Sequence, residues 1–453
     1  MRTVVSTIEE RLDSPTARGL AQAVSRAIRD GELEPGQQLP PIRTVARELM
    51  LSPTTVSAAW QLLARSGSIR SDGRRGTTVA QLGSHGGRYV RALSHESDVR
   101  LDLSTGIPDA ELLPDLSAAL ASVDGAATPS SYLDDPVLPE LRSAILADWP
   151  YAASDLLVVD GAMDALDLIV RALLRPGDVA VVEDPGFPPV LDLLEARGID
   201  VVGVPLDDSG MTVDGLEHAV AATGQRPAAV FVQPRGQNPT GVSMSPTRAR
   251  RLARVLAGSG TFLVEDDSAG DVAASQALSL GQWLPDQVLH VRSFSKSYGP
   301  DLRIAALSGP TDLLAPVRRT RALGQGWTSR LLQRVLASLL TDPRATGRVE
   351  RARGEYARRR ELVVRRLAER GVEVPGTDGL NIWVPVRDES AAVLRLASQG
   401  VAVTPGSPFH VDPPRGPAGH VRVTTGLVRT DHESVADLIA DAALVGAWTA
   451  QHR

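Results

Sequence analysis

The sequence predicts an α/β protein with two folded parts. These are a small helical domain that ends in a β-hairpin, and a large domain on a mostly parallel, seven-stranded sheet with a smaller α+β domain beside it. Seven short apolar runs alternate with helical segments between residues 156 and 307, as in sheets covered by helices on both faces. The first 80 residues instead show helical periodicity followed by two short alternating stretches. At 453 residues the chain is also too long for one hydrophobic core.

Composition excludes several classes of protein. Hydrophobic residues make up 43% of the chain and charged residues 23%, which is typical of globular domains rather than of disordered or fibrous chains. The absence of cysteine rules out disulfides, thiolate metal sites and thiol catalysis. The sequence has no run of about 18 uncharged apolar residues and no basic N-terminal leader followed by an apolar stretch. We therefore expect a cytoplasmic protein that does not cross a membrane.

Charge is distributed unevenly along the chain. The net charge is −6, but residues 1–80 carry eleven arginines against eight acidic residues. The N-terminal part is therefore basic while the remainder is acidic. A local excess of arginine favours this end of the chain for contact with a polyanion such as DNA.

The N-terminal domain is expected to contain three helices and a hairpin, with helices at 16–30, from Pro40-Pro41 and from 52, and strands at 69–71 and 77–80. The start of the third helix has the clearest signal. Ser52 is suited to cap the helix, and Pro53 costs nothing at the first helical position, where its missing N–H would have no partner. Thr54 and Thr55 would then lie on the outer side of the helix start.

Two short helices joined by a tight turn, with small hydroxyl residues at the exposed start of the second, are typical of a helix-turn-helix that enters the major groove of DNA. The arginine-bearing hairpin would lie on phosphates as a wing. A small three-helix protein-interaction module is the alternative on pattern alone.

The stretch from residue 36 to 79 closely resembles the GntR-type winged helix. The resemblance rests on Pro35-Gly36-Gln37-Gln38-Leu39-Pro40, Arg43-Thr44-Val45-Ala46, Thr55-Val56, Gly67 and Gly76-Thr77. It implies that the DNA-contacting residues are Arg43, Thr54, Thr55, Arg74, Arg75 and Gly76. Pro53 departs from the family, because many relatives carry a basic residue there.

Residues 81–97, rich in Gly, Ser, His and Arg without periodicity, are predicted to form a linker. Residues 98–453 would form the second domain. Its seven predicted strands are 156–159, 179–182, 201–204, 229–232, 262–264, 288–291 and 304–307, and residues 98–150 together with 330–450 would build the smaller α+β part. No internal repeat of fixed period is present.

Candidate binding residues follow directly after several of these strands. They are Gly161-Ala162-Met163, Asp184-Pro185-Gly186-Phe187, Gln237-Asn238-Pro239-Thr240-Gly241, Asp266 and Ser293-Phe294-Ser295-Lys296, with Arg303 seven residues past the lysine. Parallel sheets bind ligands at this edge. Asp266 alone would be a loop acid, and Asn-Pro-Thr-Gly alone a turn, so only the joint order of these residues points to a binding site.

Lys296 is the only lysine of the chain. Arginine can replace lysine as a solvated charge, but not as an amine that loses its proton and attacks a carbonyl. The chemistry fits a phosphorylated aldehyde cofactor, pyridoxal 5′-phosphate (PLP), with Lys296 forming an imine and Asp266 beside the pyridine nitrogen. Asn238 would donate to the ring hydroxyl and Phe187 would stack on the ring. The phosphate would lie against the helix start at Gly161, Ala162 and Met163, with Ser293, Ser295 and Arg303 as further ligands.

Residues 98–450 resemble a fold-type-I aminotransferase domain, and a GntR-type head joined to such a domain is the architecture of the MocR regulators. The resemblance implies that Lys296 is the aldimine lysine, Asp266 the pyridine partner, Asn238 the ring-hydroxyl donor and Arg303 a phosphate ligand. It also implies that Arg422 grips a carboxylate of the effector and that Tyr132 reaches the phosphate of a neighbouring subunit in a homodimer. Many relatives carry a tyrosine where this chain has Ser268.

The leading hypothesis is therefore a transcription regulator that binds double-stranded operator DNA and senses a small amino compound, or PLP itself. A working aminotransferase with an accessory DNA-binding head is the rival, and a DNA-binding protein with an empty aminotransferase fold is a third possibility. A homodimer would carry two winged heads and would contact two half-sites.

Overall fold

The computed structural model describes residues 4–12, 14–29, 32–34, 36–65, 69–72, 76–79, 87–88, 99–123, 131, 134–222, 226–412 and 418–444. The N-terminal domain contains α1 (Val4–Glu9), α2 (Ala17–Arg29), β1 (Gln38–Leu39), α3 (Ile42–Glu48), α4 (Pro53–Arg65), β2 (Ile69–Asp72) and β3 (Gly76–Val79). The three predicted helices and the hairpin are confirmed. Helix α1 and strand β1 were not predicted from the sequence, and β1 joins the hairpin as an edge strand in the order β1-β3-β2.

The predicted apolar faces meet in one cluster that includes Leu20, Val24, Val45, Val56 and Trp60. Helix α4 starts as expected, because Ser52 Oγ accepts the backbone N–H of Thr55 at 3.0 Å. This cap satisfies one of the amide groups that the first turn leaves without a helical partner.

The second domain opens with β4 (Leu101–Asp102), α5 (Ser117–Ala121), α6 (Pro139–Leu146), β5 (Asp155–Val159), α7 (Ala162–Leu173), β6 (Val179–Asp184), α8 (Pro188–Ala196), β7 (Asp200–Asp207) and β8 (Gly210–Met211). It continues with α9 (Val213–Ala222), β9 (Ala229–Val232), α10 (Pro246–Leu256), β10 (Phe262–Asp267), β11 (Val288–Ser293), α11 (Ser295–Tyr298), β12 (Ala305–Gly309), α12 (Thr311–Ala322), α13 (Arg330–Thr341) and α14 (Pro343–Glu369). The last elements are β13 (Ile382–Val386), α15 (Glu389–Ser398), β14 (Val401–Ala402), β15 (Thr404–Pro405), β16 (Gly419–Val423) and α16 (His432–Leu444).

All seven predicted strands are present in the large sheet, whose order within the described residues is β5-β12-β11-β10-β9-β6-β7-β8. The five strands β7, β6, β9, β10 and β11 are neighbours in this order and run parallel. Strand β12 is antiparallel to both β11 and β5, and β8 is antiparallel to β7. The connection from Ser293 to Ala305 is too short for a parallel crossover that carries a full helix, so β12 turns back along β11.

Helices cover both faces of this sheet. On one face, α7, α8 and α12 pack on alternate residues of the strands, such as Leu157, Val264 and Val291. On the other face, α9 and α10 cover one half, and α6, α13 and the start of α14 cover the other half. The strands are therefore apolar on both sides, as expected of a doubly covered sheet.

The smaller α+β domain is built from the end of α14, α15, α16 and the sheet β13-β16-β15, with Leu103 in its core. Strand β4 joins it by parallel pairing with β14. The prediction that 98–150 and 330–450 form this domain needs correction, because α6 and α13 pack on the large sheet instead. No described helix is long and apolar enough to cross a membrane.

Candidate functional site

Lys296 lies in the short helix α11, in the connection between β11 and β12. Its side chain is partly buried. Removal of the ammonium group from water lowers the pKa of Lys296, and the charge of Arg422 lowers it further, whereas Asp266 and Asp267 oppose the change. A lysine with a lowered pKa contains more of the neutral amine, which is the form that attacks a carbonyl group.

Asp266 is at the end of β10, and its side chain is 6% exposed. Gln233 Nε2 donates to Asp266 Oδ2 at 2.6 Å. Oδ1 of the same carboxyl is buried and has no hydrogen-bond partner among the described residues. Burial raises the pKa of Asp266 to about 6, while Gln233 and Lys296 oppose the rise. A buried acceptor without a donor is costly, so this oxygen is suited to a donor that a ligand supplies.

Gln233 connects the residues around Asp266, although sequence reasoning missed it. Its Oε1 accepts the backbone N–H of Asn238 at 2.8 Å, and its Nε2 also donates to Ser268 Oγ at 3.2 Å. Gln233 directly follows β9, so its position after a strand was the one available signal. It belongs to none of the sequence motifs described above.

Arg422 lies in β16 and is fully buried. Its Nη1 donates to Asn238 Oδ1 at 3.2 Å and its Nη2 to Thr404 Oγ1 at 3.1 Å. Its guanidinium carbon is 5.2 Å from the centre of the Phe409 ring. The smaller domain thereby brings the predicted carboxylate-binding arginine to the predicted ring-hydroxyl donor.

Arg303, one of the predicted phosphate ligands, lies at the start of α7 beside Gly161. Gly161 caps this helix with φ +102°, and Ala162 and Met163 form its first turn. A Cβ on Gly161 would lie 2.8 Å from Arg303 Nη2, and the same nitrogen donates to the Asp160 carbonyl at 3.3 Å. Glycine is needed here because the arginine passes so close to the backbone. The N-terminal end of a helix and a guanidinium therefore share one small region, which suits an anion.

Ser293 ends β11, and its Oγ accepts the backbone N–H of Ser295 at 3.3 Å. Ser295 Oγ is buried without a partner among the described residues. Phe187 directly precedes α8 and lines a cavity of about 30 Å³ with Gln233 and Asp266. Tyr132 lies outside the described residues.

These observations fit the groups of PLP, whose aldehyde condenses with amines and whose protonated ring withdraws electrons. Lys296 is an amine with a lowered pKa, and Asp266 Oδ1 is an acceptor without a donor. The Gly161–Arg303 region and Ser295 Oγ supply anion-binding groups. Phe187 supplies an aromatic face on the same cavity as Asp266.

At the N-terminal domain, Arg43 and Thr54 are exposed and Thr55 is partly buried. The hydroxyls of both threonines lie 2.7 Å from Ser52 Oγ. Gly76 begins β3, is exposed, and has φ +88°. Arg74 and Arg75 lie outside the described residues. Arg43 on α3 and Thr54 on α4 are thus accessible to a partner, and their contact with DNA stays a prediction.

Comparison with known proteins agrees with this architecture. Residues 16–79 match the bacterial regulatory proteins of the gntR family, and residues 99–439 match the class I and II aminotransferases. The chain is 34% identical over 415 residues to the vitamin B6 salvage pathway transcriptional repressor PtsJ of Salmonella typhimurium, covering 89% of this chain and 93% of the relative. It is 28% identical over 442 residues to the HTH-type transcriptional regulator TauR of Rhodobacter capsulatus, covering 87% and 90%.

Among solved structures, the kynurenine aminotransferase of Pyrococcus horikoshii is similar with a TM-score of 0.70 and 25% identity, over 80% of this chain and 94% of that one. The aminotransferase likeness therefore extends over the second domain, while the regulators match both domains. The chain belongs to the MocR-type regulators of the GntR family, in which a GntR winged helix-turn-helix precedes an aminotransferase class I and II domain.

Proposed function

We propose that this regulator binds PLP through an aldimine at Lys296 and binds double-stranded operator DNA through its winged helix. It would sense a small amino compound, or PLP itself. One observation carries the proposal: the only lysine of the chain has a lowered pKa and lies beside a buried aspartate with one unpartnered oxygen.

The other site residues have roles that follow from their positions. Asp266 would accept from the ring nitrogen, Asn238 would donate to the ring hydroxyl, and Phe187 would cover a ring face. The phosphate ligands would be Gly161, Ala162, Met163, Ser293, Ser295 and Arg303, with Tyr132 as a contribution from a second subunit of a homodimer.

The effector would carry an amine and a carboxylate. An amine is required to displace Lys296 from the cofactor, and Arg422 supplies a buried cation beside Asn238 for the carboxylate. Because Arg422 Nη1 already donates to Asn238 Oδ1, effector binding would compete with a contact between the two domains of the aminotransferase-like part. Such a competition is one way for a small ligand to favour one conformation over another.

One contact supports a connection to the DNA-binding head. The predicted linker is described at residues 87–88 only, where the Arg88 guanidinium donates to the Glu195 carboxylate on α8. The residue before α8 is Phe187, which lines the cavity beside Asp266. A shift of α8 on ligand binding would therefore reach the linker.

Aminotransferase activity is the second candidate, because the match to class I and II aminotransferases covers residues 99–439. Ser268 argues against it, since its short side chain donates no phenolic hydroxyl to the site and instead meets Gln233. Incubation of PLP-loaded protein with amino acids and oxo acids would distinguish turnover from binding alone.

The experiment that tests the main proposal uses Lys296. Borohydride reduction of the PLP-loaded protein should attach the cofactor to one peptide, the one that contains residue 296. Lys296→Arg should abolish this label, because arginine keeps its proton. DNA binding should persist in the variant, while its response to PLP or to an amino compound should disappear.

Arg365→Lys is the matched control, because it adds an exposed lysine on α14. This second lysine should remain unlabelled. Label at residue 365 as strong as at residue 296, or a Lys296→Arg protein that still responds to ligand on DNA, would contradict the proposal.

A further inference from the structure

A second buried carboxyl lies beside Asp266. Glu183, the penultimate residue of β6, is only 4% exposed. Its Oε2 accepts the backbone N–H of Gln233 at 3.0 Å, the same residue whose side chain donates to Asp266. Glu183 Oε1 has no hydrogen-bond partner within the described part of the chain. Gln233 therefore holds one oxygen of each acid. The side chain of Gln237, which donates to the Pro185 carbonyl at 2.8 Å, also lies near Glu183 and lowers its pKa against the larger effect of burial.

Both acids line the cavity of about 30 Å³ that also contacts Phe187. Its other walls are mainly apolar, from Leu166, Val182, Val190, Leu191, Phe231 and Val232. The cavity is large enough for about one water molecule, and the two carboxyl groups supply polar partners for it. Two carboxylates in so apolar a space disfavour each other's charge, so one of the two holds a proton.

The surrounding charges decide which acid is ionised. Lys296, His290 and the hydrogen bond from Gln233 lower the pKa of Asp266 and so favour its ionised form. The charge of Asp267 acts in the opposite direction. Asp266 is the charged group that acts on Glu183, and it disfavours a second negative charge. Asp184, the next residue of β6, already has a partner in His410 at 2.8 Å. Cations thus favour ionised Asp266, whereas burial and the charge of Asp266 both raise the pKa of Glu183.

We propose that Glu183 is a positioning residue: a neutral acid whose O–H donates towards Asp266 Oδ1, directly or through one water in the shared cavity. With Gln233, it would hold Asp266 as the single negative charge that faces the ring nitrogen of the cofactor. The role towards the cofactor rests on the proposed PLP binding, whereas the protonation of Glu183 does not.

The direction of both pKa shifts agrees with this assignment. Burial raises the pKa of Glu183 to about 8 and that of Asp266 to about 6. At neutral pH Glu183 is therefore mainly the neutral acid and Asp266 mainly the carboxylate. A carboxylic acid kept neutral near pH 7 by an apolar site can serve as a hydrogen-bond donor.

The donor has a physical purpose before the cofactor binds. Without it, Asp266 Oδ1 would be a buried anion with no donor, and its proton affinity would rise. A protonated Asp266 could not stabilise a protonated pyridine ring. Glu183 would keep Asp266 ionised and oriented, and the ring N–H would take over the contact on binding.

Infrared difference spectroscopy of the cofactor-free protein tests the protonation directly. The spectrum of wild type minus Glu183→Gln at pH 7 should contain the C=O stretch of a protonated carboxyl group. This band should vanish as the pH rises, because a carboxylate has no C=O stretch of this kind. The midpoint should be near 8, the pKa to which burial raises Glu183. A carboxylate signal alone at pH 7 would overturn the inference, whether or not the protein binds PLP.

Binding measurements then test the link to the cofactor. Glu183→Gln keeps a donor and should bind PLP within about threefold of wild type. Glu183→Leu removes the donor and should weaken binding about tenfold, or about 1.4 kcal/mol. Glu217→Leu, an exposed change on α9, is the control and should have no effect.

The ¹⁵N chemical shift of ring-labelled PLP provides a second reading that a purely structural role would not change. The ring nitrogen should be protonated in wild type and in Glu183→Gln, and should lose its proton at lower pH in Glu183→Leu. Equal affinity and equal ring titration in the Gln and Leu variants would overturn the role of Glu183 towards the cofactor. If no variant binds PLP, wild type included, the proposed function fails while the infrared result still decides the protonation.

Discussion

Three successive acids at the end of β10 differ in their chemistry because a strand alternates its faces. Asp267 accepts from Arg235 Nη2 at 2.6 Å and from Arg235 Nε at 3.1 Å, and these contacts hold the pKa of Asp267 below its ordinary value against the effect of burial. Glu265 Oε2 lies 2.6 Å from His290 Nδ1. Asp266 points to the other face, where an amide is its donor. The residue proposed to meet the cofactor is thus the one that lacks a bound guanidinium or imidazole.

Asp266→Asn should therefore stabilise the cofactor-free protein at pH 8, by about 2 kcal/mol in free energy of unfolding. The folded-state pKa of about 6 is above the ordinary value of 3.8, so the cost of burying the carboxylate is present above pH 6 and declines as the pH falls towards 3.8. Urea unfolding should show that the variant exceeds wild type in free energy of unfolding at pH 8, and that this difference is smaller at pH 5. PLP binding should weaken at least tenfold in the same variant.

Asp267→Asn provides the opposite case. Its carboxylate is paired with Arg235, so this variant should destabilise the protein at pH 8. A loss of stability in Asp266→Asn as large as in Asp267→Asn would mean that burial of the Asp266 carboxylate has no energetic cost.

At the scale of elements, the turn between α3 and α4 places a non-glycine residue, Met50, in the left-handed conformation, which is energetically unfavourable. Met50 has φ +52° and is 93% exposed. The amide of Leu51 donates to the Ala46 carbonyl at 2.8 Å, which is the helix-ending hydrogen bond of a Schellman motif. Glycine suits the left-handed residue of this motif, because other residues lose about 1 kcal/mol or more there.

Met50→Gly should consequently stabilise the helix-turn-helix by about 1 kcal/mol. Hydrogen exchange of the α4 amides in the full chain should slow about fivefold where these amides exchange through unfolding of the domain. Met50→Ala retains a Cβ in the left-handed region and should give no such gain. Equal protection in the Gly and Ala variants would remove backbone strain as the cause.

Helix α14 spans both parts of the aminotransferase-like domain. Val349, near its start, packs in the cluster that covers the large sheet, whereas Val363 and Leu367, near its end, pack in the core of the smaller domain. Between them, Arg359 Nη1 donates to the buried Asp109 at 2.8 Å. A single rigid element therefore carries contacts of both parts.

At the scale of the whole molecule, regulation requires a contact between the cofactor domain and the segment that leads to the winged helix. The pair Arg88–Glu195 is the described candidate. Arg88→Glu or Glu195→Arg alone should reduce the effect of PLP on DNA affinity, by about 1 kcal/mol or roughly fivefold. The double exchange restores opposite charges and should restore the effect.

DNA fragments selected by the protein from a random library, titrated with and without PLP, provide the measurement. Arg197→Glu, just past the end of α8 and paired with Asp167 at 3.2 Å, is the control and should leave the PLP effect intact. A double variant that responds no better than either single one would exclude this ion pair from the coupling.

Local features of the sequence determined much of this protein. Helical spacing and the Ser52-Pro53 start predicted α2 to α4, and apolar runs predicted all seven main strands, because periodicity and capping act between residues a few positions apart. The expectation that residues after the strands would meet rested on the geometry of parallel sheets. The structure does bring Lys296, Asp266, Asn238 and Arg422 together, and it places Gly161 against Arg303.

Other features were decided only by tertiary structure. The antiparallel β12, the packing of α6 and α13 on the large sheet, and the short strand β1 depend on contacts between distant residues. The same holds for the burial of Arg422 and for the placement of Glu183, Gln233 and Asp266 around one cavity. No local pattern distinguishes Glu183 from a solvated acid at a strand end, because its proton affinity comes from the apolar walls and the neighbouring carboxyl that the folded chain assembles around it.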